Sequence, residues 1–239
     1  MARGTTLGNL VNDLRSEVGH SLNSNLGSSM RDVLINSIQR VQRRLWDDYS
    51  WPFLRVRRDI DLQDGARYYD LPADMVFERI EKVEFKYGDI WEPVSYGIGR
   101  DQYNQYDSDR DIRSWPIYRY DNYENNQIEV WPIPNQNIDA TTGSGKLRIH
   151  GIRNLSALVE DSDTADLDDQ LIVLYAAANM LARQRQADAG GKLQEANAHY
   201  MRLKARLSKS DTFVMGSETS DEYQPKGPPR VAVITSSGN

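Results

Sequence analysis

The chain has 239 residues, 39% hydrophobic and 27% charged, with no cysteine and with 29 Lys and Arg against 35 Asp and Glu, a net charge of -6. Disulfide frameworks, Cys-bearing zinc sites and thiol nucleophiles are excluded by composition, and the acidic balance opposes strong binding of nucleic acid by the chain as a whole. No run approaches the ~20 apolar residues of a membrane span, and the polar N-terminus lacks the apolar stretch of a signal peptide, so cytoplasmic synthesis without a membrane partner is expected.

Leu7, Leu10, Val11, Leu14 and Val18 recur at helical spacing, with Thr5 or Thr6 placed to cap the start. Asn23-Ser24-Asn25 and Gly27 punctuate, and a second helix is predicted from about Ser29, with Val33, Leu34, Ile38, Val41 and Leu45 on one face. Arg40, Arg43 and Arg44 share the other face at i, i+3, i+4 spacing. A short link favours an antiparallel pair.

The texture changes at Trp51-Pro52. Phe53 to Leu62 alternates like a strand, Asp64-Gly65 signals a hairpin, and Arg67 to Leu71 is predicted to return as its partner. Ile80 to Phe85 reads as another strand. Gly97 to Arg113 is polar and fits either a surface helix or an irregular loop. Residues Ile117–Tyr120 and Gln127–Trp131 flank Asn125-Asn126 as a second hairpin, and Lys146 to Ile152 forms one more strand after the Gly143-Ser144-Gly145 turn.

Helix returns at Asp166 with an Ala-rich apolar stripe through Leu181. Gly190-Gly191 is expected to break it, and a last helix runs from about Lys192 with Leu193, Ala196, Tyr200, Leu203 and Leu207 inward. After Ser208 the composition turns to Ser, Thr, Gly, Pro and charge. The β-prone patch Arg230–Thr235 interrupts this tail and reads either as a loose end or as a strand for another subunit's sheet edge. The fold class is therefore α+β. Helix pairs at residues 1–50 and 154–208 form a helical bundle, an antiparallel β module at 51–153 is inserted between them, and an extended tail covers 209–239. The mean hydropathy of -0.68 is low for a self-sufficient globule, which suits surface shared with neighbouring chains.

Motifs for chemistry fall short of their requirements. His20, His150 and His199 sit on separate predicted elements, whereas a zinc site or triad needs convergence. Asp107, Asp109 and Asp111 open like a calcium loop, but Ile112 and Tyr118 hold the places of its Gly and Glu. Gly143-Ser144-Gly145-Lys146 leads into a strand and lacks the following Ser or Thr of a phosphate loop, so it reads as a hairpin turn. The acidic run from Glu160 to Asp169 suits helix N-capping, a metal site or a DNA-repelling collar. No cofactor is expected. The 13 Tyr and 5 Trp suit half-buried contacts, and Trp-Pro recurs at Trp51, Trp115 and Trp131.

A two-helix start, Trp51-Pro52-Phe53-Leu54, an alternating strand, the Gly65-Ala66-Arg67-Tyr68 turn and Leu71-Pro72-Ala73-Asp74 leading to Ile80 and Val83 form a recognisable order. It resembles the head-to-tail adaptor (connector) proteins of tailed bacteriophages. Ser29 to Phe85 carries the resemblance, Asp166 to Leu207 is similar in style, and Gly97 to Ile152 matches loosely. The resemblance implies a non-enzymatic virion protein at the head–tail junction, made in the host cytoplasm. It implies a homo-oligomeric ring of about twelve copies under the portal. Helices would meet the portal protein and neighbours, the β module would point toward tail or nozzle proteins, and a C-terminal arm would reach the portal. Double-stranded DNA would pass the lumen without specific binding.

On that reading Arg40, Arg43, Arg44, Trp51, Phe53, Phe213, Val231, Val233 and Ile234 are expected at the portal or neighbour interface. Trp91, Trp115 and Trp131 are expected on the tail-facing β module. Two rivals stand beside it. One is a nucleic-acid-binding protein using the arginines from Arg40 to Arg58. The other is a tail-associated glycan binder using tryptophan platforms.

Overall fold

The helical periodicity of the first fifty residues produces α1 (Leu7–Val18) and α2 (Ser28–Asp48). The structure, a computed structural model, describes residues 3–19, 28–105 and 110–207. Leu7, Leu10, Val11 and Leu14 of α1 and Leu34, Ile38, Val41 and Leu45 of α2 are buried together. They share one core with α4 (Asp169–Arg183) and with Ala196 and Leu203 of α5 (Ala189–Leu207). Thr6 occupies the N-cap position of α1 but makes no side-chain capping bond. The neighbouring Thr5 hydroxyl instead donates to Asp169, tying the chain start to the start of α4. Asp168 caps α4, accepting from the Leu171 N–H at 3.0 Å.

The break between α4 and α5 lies elsewhere than the glycines suggest. Helix α4 ends at Arg183, and Gly190-Gly191 fall inside the first turn of α5. The stop is made by Arg185 in the left-handed region (φ 55), with Gln186 N–H reaching back to Leu181 C=O at 3.0 Å. This turn normally recruits glycine, so an arginine there leaves no compositional mark.

Between α2 and α4 the chain builds two four-stranded sheets. The first has the order β1 (Arg55–Asp61), β8 (Lys146–Ile152), β3 (Ile80–Tyr87), β4 (Ile90–Pro93), all antiparallel. The second has the order β2 (Tyr68–Asp70), β7 (Gln127–Trp131), β6 (Arg119–Tyr123), β5 (Ser95–Tyr96), with β5 and β6 parallel. Their inner faces meet: Val83, Phe85, Leu147 and Ile149 of the first pack in one cluster with Tyr69, Tyr120, Ile128 and Val130 of the second.

The expected hairpin at Asp64-Gly65 is not formed. The turn is there, but β1 pairs with β8 and β2 with β7, so the chain crosses from one sheet to the other at that point. Alternation sets which face of a strand is buried and is silent on its partner. The Gly143–Lys146 turn likewise joins a strand of each sheet and closes no hairpin. The β6–β7 hairpin around Asn125-Asn126 forms as expected, with both asparagines at positive φ. Gly151 permits a close approach: a Cβ there would lie 2.6 Å from the Arg79 carbonyl oxygen, opposite the register shift between Ile80 and Lys82.

Candidate assembly surfaces

The exposed face of α2 carries the arginines that its periodicity set apart from the core. Arg40 and Arg43 are exposed and have no acidic partner among the described residues. Arg44 is occupied, with its guanidinium 4.7 Å above the Tyr175 ring and 3.8 Å from Asp48. From α4, Arg183 joins Arg40 and Arg43 around a shallow cleft that Val33 and Asn36 also line. Two helices thus bring to one surface of an acidic chain three guanidinium groups that have no acidic partner among the described residues.

The sequence-level arginine cluster divides here. Arg55 pairs with Glu81 at 3.0 Å, and Arg58 grips Asp74 with Nη2–Oδ2 at 2.6 Å. That grip gives Leu71-Pro72-Ala73-Asp74 its structural role, since it locks the turn to β1, while the Asp74 carbonyl accepts from Asn154 N–H at 2.7 Å. The hydrogen bonds from Arg58 hold the Asp74 carboxyl below the usual carboxylate range. A DNA-binding strip from Arg40 to Arg58 therefore loses Arg44, Arg55 and Arg58 to intramolecular partners.

The outer face of the first sheet is a ladder of charge set by its register. Asp59 stands opposite Arg148, which stands opposite Glu84. Arg148 binds both oxygens of Asp59, at 2.8 and 2.9 Å, and lies 3.9 Å over the Trp91 ring. Those bonds hold the Asp59 carboxyl low. Glu84 accepts from Lys82 and approaches His150 at 2.7 Å. Burial alone would raise the Glu84 carboxyl, and these two partners bring it below the usual range instead. The other described histidine, His199, contacts the capping Asp168 at 2.8 Å. Among the described residues no group of three His, Asp or Glu could hold a metal ion. His20 lies outside them.

The tryptophans expected at interfaces are placed unequally. Trp51 is 1% exposed, packed inside the helical core with its indole N–H donated to Leu45 C=O at 2.8 Å. Trp131 is fully buried on the far face of the second sheet, under the short helix α3 (Arg100–Gln105). Its indole N–H reaches Gln102 C=O at 3.1 Å, with Tyr103 edge-on at 5.0 Å. Trp51, expected at the portal or neighbour interface, and Trp131, expected on the tail-facing β module, are core residues of this chain. Trp-Pro marks an aromatic at the end of an element, and that position serves a core as well as it serves a surface.

Trp115 packs edge-on against Phe85 inside the sheet cluster, so it too faces inward. Phe53 is half-buried with Arg3 over its ring at 4.0 Å. Of the three β-module tryptophans, Trp91 lies on the outer face of the first sheet, beneath the Arg148 guanidinium. Phe213, Val231, Val233 and Ile234 lie outside the described residues, as do Asp107 and Asp109.

The acidic run resolves into separate tasks. Asp168 caps α4, Asp163 accepts from the N–H groups of Val159 and Glu160, Asp166 binds Arg153, and Asp161 pairs with Arg31. Sequence reasoning passed over Arg183 and the apolar stretch Leu155–Val159. Helix-end arginines are common, and a short apolar run without period fits strand and loop alike.

A family model described as SU10 adaptor protein matches residues 5–230. No curated protein matches the chain.

Proposed function

Because the chain belongs to the SU10 adaptor protein family, and is thus a structural adaptor of a phage particle, we propose that it forms a ring beneath the portal that joins head to tail. The breadth of the family match carries this reading. In it, the helix pairs at 1–50 and 154–208 face the portal and sister copies, and the β module at 51–153 is directed toward tail proteins. The tail segment 209–239 acts as an arm. The net charge of -6 suits a lumen through which DNA passes without adhering.

The cationic surface of Arg40, Arg43 and Arg183 supplies the contact that a head-to-tail ring needs. A heterologous interface joins two different patches of one subunit, and three uncompensated cations on an acidic chain complement an acidic patch on a neighbour or on the portal. Charged groups at such a rim act mainly on association rate and specificity.

The test mixes the purified chain with its portal protein and images the product by negative-stain electron microscopy. Rings seated on the portal are expected, and Arg40→Glu with Arg43→Glu should slow their formation by about tenfold or more. A chain that stays unassociated beside the portal at every concentration tried would end this reading. The exposed arginines also favour one rival, DNA binding. Salt-sensitive retardation of duplex DNA that survives at physiological salt and that the same double variant abolishes would favour it.

A further inference from the structure

Next to the Arg183 cleft on α2, and sharing Gln39 and Arg43 with it, a cleft of about 410 Å³ opens between the helix and Leu155–Val159, the segment that leads from β8 toward α4. Trp46, Leu155, Leu158 and Val159 give it apolar walls, and Val159 stands 66% exposed at its mouth. The segment belongs to no strand. It is held from outside the cleft, by Ser156 N–H to Asp166 at 2.6 Å, and across it by Gln39 Nε2 to Leu158 C=O at 2.6 Å.

Two polar features of the same cleft lack counterparts. Gln42 is 2% exposed, and its Oε1 is sealed from solvent with no hydrogen-bond partner. A buried amide without a partner is costly in a finished fold. Arg43 lines the cleft as well, exposed and without an acidic partner among the described residues.

We infer that this cleft receives an extended peptide segment from another protein chain. The segment sets an apolar side chain against Trp46 and Val159, a main-chain group against the Gln42 amide, and a carboxylate beside Arg43. The terminal torsion of a glutamine is soft, so either end of the amide can turn to a main-chain N–H or C=O. The commitment to a peptide rests on complementarity. A nucleic acid strand satisfies Arg43 and has no use for the apolar walls. An acyl chain satisfies the walls and leaves the amide unpaired. A peptide with alternating apolar and acidic side chains answers all three. This goes beyond the ring reading, because a site for a linear segment can exist with or without ring closure.

The test pans the full-length chain against a phage-displayed library of random linear peptides, then titrates the selected, fluorescently labelled peptides by anisotropy. Enrichment of sequences with Asp or Glu next to a bulky apolar residue is expected. Arg43→Glu, an exposed change, should weaken their binding by about tenfold with an unaltered melting curve. Ala157→Trp, which fills the cleft, should abolish it. Gln42→Leu should weaken binding yet raise the melting temperature, since it removes the unpaired buried amide. That opposite pair of effects separates a ligand-facing role from a structural one. Failure to enrich any peptide, equal binding by all three variants, or displacement by a short single-stranded oligonucleotide would each overturn the inference.

Discussion

Gly151 is where a single methyl group decides whether the β region closes. A Cβ there meets the Arg79 carbonyl oxygen at 2.6 Å and Met75 Cε at 2.7 Å, and the former is main chain that cannot swing aside. Gly151→Ala should destabilise the chain by roughly 1–3 kcal/mol, the usual cost of overpacking, read as a lower urea midpoint with unchanged slope. Trp51 presents the opposite case. It is enclosed by Tyr49, Phe53 and Tyr200 and donates its indole N–H to α2. Trp51→Ala should cost about 3–5 kcal/mol, whereas Trp91→Ala, on the outer sheet face, should stay within about 1 kcal/mol. Equal losses at the two tryptophans would contradict their placement.

At the scale of elements, β1 is fastened by ion pairs to both of its surroundings: Asp59 to Arg148 on β8, and Arg58 to Asp74 on the turn after β2. Both carboxyls are held low by their arginines. A depressed carboxylate contributes stability that is complete above its unfolded value near ~3.9. That contribution is lost as pH falls through the lower folded value. Unfolding midpoints should therefore drop on acidification below about pH 4. Asp74→Asn should lessen that drop while costing no more than about 1 kcal/mol at neutral pH, because the pair is more than a third exposed.

The elements themselves were largely legible. Strand β8 and the β6–β7 hairpin follow from alternation and turn residues, and α1 and α2 from apolar spacing. The pairing of β1 with β8 was hidden, because no local signal names a partner some ninety residues away. The end of α4 was hidden behind an arginine in a glycine's conformation. For the candidate surfaces, Arg40 and Arg43 were visible from their helical spacing. The burial of Trp51 and Trp131 was not, since an aromatic beside a proline looks the same outside or inside a core.

For the whole molecule, the sheets and helices share residues at their seam. Leu54, just before β1, and Ile152, the last residue of β8, are both buried in the helical core. Loss of the sheet pairing thus opens the helices, and the described part of the chain should unfold as one cooperative unit. Tryptophan fluorescence and far-UV circular dichroism should give coincident transitions, and a separate helical transition would show that the seam does not couple them. The pairing of distant strands also predicts slow refolding, on the millisecond-to-second scale of non-local β topologies.

The path of the polypeptide between the sheets has a mechanical corollary. It runs from β1 to β2, back to β3 and β4, across to β5, β6 and β7, and home to β8. Neither sheet can be peeled away while the other stays whole, for every tug on one draws thread through its twin. Fabric sewn in this manner resists tearing along any single line, a fitting property for a structural adaptor of a phage particle.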